Sequence, residues 1–416
     1  MPRVRSLRST AHRLLPAQPE VRALALADLV GSVGWGAFVA GSAVFFTRSV
    51  GLSAAQVAAG LSLAGGLGFA LAVPGGRLVD RAGPRRVLMV AGGIGIAGYC
   101  SYALIDSFAG FLVVISVLGV VNRLDRIAIG ALVGGLLAQG DRVKASAYLR
   151  SVSNLGFSAG AGLAGLALAI DTRPAYLALP FGTAITGAAV ILLRNRLPVV
   201  PPAPPHRAGD RRWVALRDRP FVALTALFGV ARLDSAILDI GLPLWIIHHT
   251  TAPRPLVAWL VIVNTALVIV LQVRVARGSD TLRGIVRAKR LASLAMIGAC
   301  LVFGASGSLP EAAAILALIA GMALLTVGEL LISAAGWSVR YGLAREHAQG
   351  EYGAVFGLGS SAMDMAGPAL VVLLTDRYGL TGWGALAAIY AGLFVAIRPV
   401  VTWAGSHRAA WGGPGV

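Results

Sequence analysis

Nine ionisable side chains stand inside long apolar runs of this sequence: Asp28, Arg123, Asp125, Arg126, Arg232, Asp234, Asp239, Glu329 and Asp364. A charge at hydrocarbon depth is costly, so each is a candidate for function. Six are carboxylates and three are arginines. If every arginine is paired once, three carboxylates are left over. Desolvation favours the neutral form of a carboxyl that has no cation, and reversible protonation near neutral pH is what a proton carrier needs.

The spacing of these residues sets their faces. In VVNRLDRIAIGA, Arg123 and Arg126 share a helical face, while Asp125 lies about 100° from Arg126. Arg126 is preferred over Arg123 as a working residue, the alternative being an Arg–Asp pair that holds this helix to a neighbour. In VARLDSAILDIG, Arg232, Ser235 and Asp239 follow one face and Asp234 points nearly opposite Arg232. The two acids therefore have different roles, and Asp234, lacking a same-face arginine, is favoured for a central cavity. In GELLISAAGW, Glu329 shares a face with Thr326 and Ser333. Glu329 is the first choice for a protonation site; the alternative is a hydrogen bond that serves packing. Asp364 lies on a stripe with Ser360 and Ser361, and Asp28 on one with Ser32 and Trp35. Asp28 is close to the cytoplasmic edge, where snorkelling or a structural hydrogen bond is an equal alternative.

The elements that must hold these residues are legible in the composition. The chain is 57% hydrophobic and 13% charged, with a mean hydropathy of +0.77. Soluble domains carry about 25% charged residues. Apolar runs of membrane-spanning length recur at 23–46, 55–75, 87–105, 110–136, 147–170 and 175–193, then at 221–247, 257–275, 291–308, 311–337, 353–375 and 381–403. In lipid such runs must be helices. The expected fold class is all-α integral membrane, with twelve transmembrane helices in two pseudo-symmetric six-helix bundles. Residues 1–22 form a cytoplasmic tail, 23–193 the first bundle, 194–220 a basic Pro-rich cytoplasmic linker, 221–403 the second bundle and 404–416 a second tail. The halves read as distant repeats: LVGSVGWG (29–36) answers LFGVARLD (227–234), and Cys100 and Cys300 each fall in a third helix.

The net charge of +18 is topogenic. Most of the 36 basic residues fall in alternate segments, and the opposite loops hold only Arg48, Arg173, Arg254 and Arg377. The positive-inside rule then puts both termini in the cytoplasm. This distribution argues against nucleic acid as partner. The first apolar run is too long for a signal-peptide core and is expected to stay as a helix. Two isolated cysteines and dispersed acids give no metal or disulfide framework, and no cofactor is expected. An integral membrane enzyme is a remote alternative, because no clustered acidic metal motif or nucleophile elbow appears. Monomer is the default oligomeric state.

One stretch is denser in charge than its surroundings: PGGRLVDRAGPRRVLMV, 74–90. Its glycines and prolines predict a break between the second and third spans. Within it, GRLVDRAGPRRVL resembles the signature loop of the major facilitator superfamily, with Gly76, Leu78, Asp80, Arg81, Gly83, Arg85 and Arg86 matching; Val79 and Pro84 depart from it. The resemblance covers residues 20–405 and implies bacterial proton-coupled multidrug exporters of the inner membrane as the nearest kind. It implies that Asp80 caps the start of the eleventh helix, near Glu351–Gly353, when the cytoplasmic side is closed, which makes Gly76, Asp80, Arg81, Gly83, Arg85 and Arg86 a conformational gate. It also implies proton coupling for the acid of the tenth helix, Glu329. The fifth-helix GAGLAG, 160–165, is a degenerate form of the superfamily's antiporter element, and Gly367-Pro368 resembles it in the other half. Gly156 and Gly160 have G-x-x-x-G spacing, which permits close helix packing. Trp35, Phe38, Phe45, Phe46, Trp245, Trp337 and Phe356 are candidates for an apolar cavity wall, against the alternative of lipid-facing or interfacial aromatics. The expectation is proton-coupled export of small amphipathic, lipophilic or cationic compounds by alternating access. The alternative is transport of a specific polar metabolite.

Overall fold

The computed structural model describes residues 18–201, 213–275, 278, 281–345 and 348–409. The tail before residue 18, linker residues 202–212 and the stretch 410–416 lie outside the described residues. In chain order the helices are α1 (Pro19–Val44), α2 (Ala54–Ala70), α3 (Ala72–Ala82), α4 (Pro84–Ser101), α5 (Phe108–Leu136), α6 (Gln139–Ile170), α7 (Arg173–Arg194) and α8 (Val214–Arg217). They continue as α9 (Arg219–Ala231), α10 (Leu233–Ala236), α11 (Leu242–His249), α12 (Leu256–Val275), α13 (Leu282–Ser306), α14 (Glu311–Gly342), α15 (Gln349–Val372) and α16 (Tyr378–Ala409). Every one of the twelve expected apolar runs falls on helix, and the described residues contain no strand. Eight of these helical stretches are long and apolar enough to cross a membrane, and a ninth is the pair α2–α3, bent by 54°.

Local chemistry sets the ends. Ser53 and Gln56 form a reciprocal capping box at the start of α2. Ser107 accepts from Gly110 N, Thr281 from Gly284 N and Asp218 from Phe221 N, each meeting an orphan amide of a first turn. The dense stretch 74–90 is a correction to the expected loop. Pro74, Gly75 and Gly76 lie within α3, and the turn contracts to Gly83 alone (φ 84), with Pro84 opening α4. Pro suits a first helical position because its missing N–H has no helical partner there.

By contacts the chain forms two compact units. The first comprises Met1–Leu71, Leu78–Ala138 and Tyr148–Ala203; the second comprises Ala72–Arg77, Gln139–Ala147 and Pro204–Val416.

In the first unit, glycines bring α1 and α6 together. A Cβ at Gly156 would stand 2.6 Å from Leu29 O, and one at Gly160 would strike the backbone at Val33 and Ala37. The reach of α1 ends in an aromatic cluster. Phe38 stacks on Tyr102 at 5.4 Å, and Phe46 meets Phe111 edge-on at 4.7 Å. Phe38, Phe45 and Phe46 are all buried there, so they are core residues, not cavity wall. Five side chains with few rotatable bonds fill the space between helices at low entropic cost.

In the second unit the same device joins α9 and α15. A Cβ at Gly229 would lie 2.7 Å from Gly359 O. Trp245 is also core: its indole donates to Ser306 Oγ at 3.1 Å and its ring meets Trp383 edge-on. Phe356 packs on Phe228 at 5.6 Å, and Trp337 against Val143, Ala147 and Ala334. Trp35 is 40% exposed.

Candidate functional site

The charged centre of the second unit is built on a broken helix. α9 stops at Ala231, and Arg232 (φ −67, ψ 0) bonds back to Gly229 O in a tighter turn than an α-helix makes. After α10, Ile237–Gly241 is a π-turn, which widens the helix by one residue. A uniform 100° step therefore misplaces everything beyond Arg232. Asp234 is not opposite the arginine: Asp234 Oδ1 lies 3.5 Å from Arg232 Nη1 and accepts from Ser235 N at 2.7 Å. Arg232 also donates to Ser235 Oγ. The second oxygen, Asp234 Oδ2, is buried with no hydrogen-bond partner, and the whole residue is 1% exposed.

A second cation reaches this region from a residue that the sequence places in a basic loop. α13 begins at Leu282, not near 291, so Lys289 is on the helix, facing inward with Ile285, Ala288, Ala292 and Met296. Its residue is fully buried, its Nζ has no hydrogen-bond partner, and that atom stands 5.0 Å from the Phe228 ring centre. Asp234 is the carboxylate in electrostatic range of it. The signal was available: Thr281 and Gly284 form a cap, and Lys289 falls on the apolar stripe.

Glu329 sits on α14 and is buried. Asn264, from α12, donates to Thr326 Oγ1 at 3.0 Å and to Glu329 Oε2 at 3.3 Å. Asn264 was missed in sequence; its signal is an amide in the middle of the run LVAWLVIVNTALVIVLQV, whose other amide, Gln272, stands near its end. Arg232 is in electrostatic range of Asp234, Asp364 and Glu329, and of Tyr390, whose hydroxyl donates to Ala231 O at 3.3 Å. Asp239 is in range of Arg232 and the same acids. The second unit thus gathers the carboxylates of Asp234, Asp239, Glu329 and Asp364 around the Arg232 cation, with Lys289 added on the side of Asp234. Asp239 and Asp364 are exposed, and Asp234 and Glu329 are buried.

The first unit has the opposite balance. Arg194, expected in the linker, is the last residue of α7. Its Nη1 lies 2.6 Å from Asp125 Oδ1 and its Nη2 3.6 Å from Asp28 Oδ1. One cation therefore joins α1, α5 and α7. Asp125 is thus in an Arg–Asp pair that holds its helix to a neighbour, with Arg194 as the arginine in place of Arg123 or Arg126, and Asp28 is held by an ion pair instead of snorkelling. Arg123 is half-buried and Arg126 exposed on α5.

The charged motif after the second span is divided by the structure. Gly76, in the second unit, allows close approach: a Cβ there would stand 2.5 Å from Gly350 O at the start of α15. Arg77 covers the Trp213 ring at 4.9 Å. Arg85 donates to Asn195 O and, at 2.9 Å, to Asn195 Oδ1, which caps the end of α7. Asp80 is half-buried near the end of α3, with Arg81 and Arg86 exposed. Glu351 is buried and accepts from Ala215 N at 2.9 Å. Among the described residues no group of His, Cys, Asp and Glu is arranged to hold a metal.

The model of the Major Facilitator Superfamily matches residues 24–368. No curated protein matches the chain by sequence. Among solved structures, a bacterial homologue of the iron transporter ferroportin in an outward-facing state is 15% identical, with a TM-score of 0.74 over 94% of this chain and 100% of that one. The human organic anion transporter MFSD10 (TETRAN) is 19% identical, with a TM-score of 0.66 over 92% and 100%. The proton:xylose symporter XylE, bound to 6-bromo-6-deoxy-D-glucose, is 11% identical, with a TM-score of 0.67 over 92% and 96%. At these identities the likeness is one of fold.

Proposed function

The chain belongs to the major facilitator superfamily and is a multi-pass membrane transporter; on that premise we propose that it exports small amphipathic, lipophilic or cationic compounds in exchange for protons, by alternating access across the bacterial plasma membrane with both termini cytoplasmic. One observation carries the reading. In the second unit Arg232 stands in electrostatic range of four carboxylates, Lys289 is in range of Asp234 alone, and Asp234 keeps a buried oxygen with no hydrogen-bond partner. In a low-dielectric interior such a surplus is relieved by binding a proton.

Each residue then has a role. Glu329 takes the proton, and Asn264 and Thr326 orient its carboxyl. Asp234 answers through Arg232: a proton on Glu329 removes one of the anions that Arg232 balances, so the pull on Asp234 changes. Asp239 and Asp364 are exposed acids for a cationic solute. A proton and a cationic substrate compete for the same negative charge, and that competition is an exchange. Asp80 and its neighbouring arginines gate the cycle as a cap on α15, with Gly76 giving the close approach.

The polar trio of Asn264, Thr326 and Glu329 also favours a second reading, transport of a specific polar metabolite, because placed amides and hydroxyls confer selectivity for a hydrogen-bonding solute. The solved neighbours include an organic anion transporter, a homologue of an iron transporter and a proton:xylose symporter, so the fold accommodates solutes that are anionic, cationic or neutral. Purified protein in liposomes with an imposed pH gradient separates the readings. Proton-driven movement of a lipophilic cation, absent without the gradient, is expected. Movement that ignores the gradient overturns proton coupling, and transport confined to a polar solute selects the second reading.

A further inference from the structure

A basic groove in the second unit has no part in that transport scheme. α13 and the last turns of α16 border a cavity of about 670 Å³, whose lining includes Arg283, Arg287, Arg290 and Arg398 together with Leu291 and Val401. Arg283, Arg287 and Arg398 are exposed and Arg290 is half-buried. The Arg290 guanidinium lies 4.8 Å over the Phe394 ring, and its Nε is buried with no hydrogen-bond partner. No described carboxylate pairs with any of the four. Four like charges lining one groove, with no carboxylate partner among the described residues, repel one another, and an anion relieves that cost.

The groove is basic at one end and greasy at the other. Positions 283, 287, 290 and 294 of α13 recur at three- and four-residue spacing, and 301 follows 294 by seven residues, two turns on, so all five share a face. Beyond the arginines that face carries Leu294 and Leu301, 52% and 53% exposed. On α16 Val395, one turn from Arg398, is 68% exposed. A free anion would use only the arginines. An anionic amphiphile uses both parts: phosphate oxygens accept from guanidinium groups, and chains cover the bare leucines. The arginines stand at the basic rim that the positive-inside rule turns toward the cytoplasm, beside the leaflet where anionic lipid is found.

We propose that this groove binds an anionic phospholipid, with Arg283, Arg287, Arg290 and Arg398 holding its phosphate and its acyl chains lying along Leu294, Leu301 and Val395. The site depends on no particular substrate or coupling ion.

Native mass spectrometry of the full chain, delipidated in mild detergent and titrated with phosphatidylglycerol or phosphatidylcholine, tests it. Wild type is expected to retain phosphatidylglycerol in preference. The triple change R283Q/R287Q/R398Q should weaken that retention by ~10-fold or more, because each interfacial arginine adds to the attraction of anionic lipid. R283K/R287K/R398K, which keeps the charge, should retain most of it. Should the triple Gln variant elute as aggregate, R398Q alone, at an exposed position, should still weaken retention about three-fold. Three results overturn the proposal: equal retention of phosphatidylcholine by wild type, undiminished phosphatidylglycerol on the Gln variants, or displacement of the lipid by millimolar inorganic phosphate.

Discussion

Arg194 Nη1 lies 2.6 Å from Asp125 Oδ1, and the same guanidinium reaches Asp28 on another helix. The last residue of α7 thus ties three helices of the first unit at their basic end. With its side chain 11% exposed, Arg194 is poorly screened by solvent. Arg194→Gln leaves two carboxylates without that cation, and the expected loss is about 2 kcal/mol, below the figure for a fully buried pair because Asp125 is partly solvated. Thermal unfolding in detergent measures it. The triple change Asp28→Asn, Asp125→Asn, Arg194→Gln should recover most of the loss, and failure to recover would show that Arg194 acts by packing.

Glu329→Gln keeps the shape and the bond from Asn264 but cannot bind and release a proton. Substrate movement driven by a pH gradient in liposomes should fall to background, while exchange of labelled for unlabelled substrate without a gradient should persist. Undiminished gradient-driven transport would remove Glu329 from the coupling scheme.

Lys289 and Asp234 are both buried, each with a side-chain atom that has no hydrogen-bond partner. Replacing the two with Met and Asn removes two desolvated charges. Stability should stay level or rise by ~1–4 kcal/mol, as found for buried ion pairs exchanged for neutral groups. Lys289→Met in a wild-type Asp234 background leaves the carboxylate to Arg232 alone and should be the less stable of the two variants. Melting temperatures of the pair decide it.

Gly160→Leu forces a side chain into the α1 backbone at Val33 and Ala37. Folded yield should collapse. Gly65→Ala, where a Cβ meets nothing within 4 Å, should be neutral or slightly stabilising because glycine is the more costly residue to order in a helix. Size-exclusion profiles of the two variants give the comparison.

At the opposite end of the first unit Asp171 ends α6 in a left-handed turn (φ 50) and accepts from Tyr176 and from Arg48, the latter at 2.7 Å. Those bonds hold its carboxyl below the usual carboxylate range, the Tyr176 hydroxyl first and Arg48 second. A lowered folded-state pKa stabilises the protein above the unfolded value, about 3.9, and the benefit is lost as pH falls through the folded value. The difference in melting temperature between wild type and Asp171→Asn should therefore be flat from neutral pH down to about pH 5 and shrink below about pH 4. A difference that shrinks near pH 6.5 instead would point to a histidine.

The same chemistry recurs at Asp376 in the second unit. His248 Nδ1 and His249 Nε2 lie 3.0 and 3.2 Å from one oxygen, Asp376 Oδ1, and hold this carboxyl below its ordinary range. The histidine pair joins α11 to the π-turn Leu373–Arg377 after α15.

Hydrophobicity alone determined the scaffold. Lipid permits few backbone solutions, so runs of about twenty apolar residues become helices whatever their neighbours. The glycines at 156 and 160 were also legible, because only a missing side chain lets two backbones meet. Other features belonged to the tertiary structure. Helical-wheel reasoning separated Asp234 from Arg232, and a tight turn at Arg232 reunited them. Arg194 and Lys289 read as topogenic charge, since sequence cannot tell an arginine that ends a helix inside the fold from one just beyond it. Pairing among distant charges depends on which helices become neighbours, and that is settled by side-chain packing across segments that lie far apart in the chain.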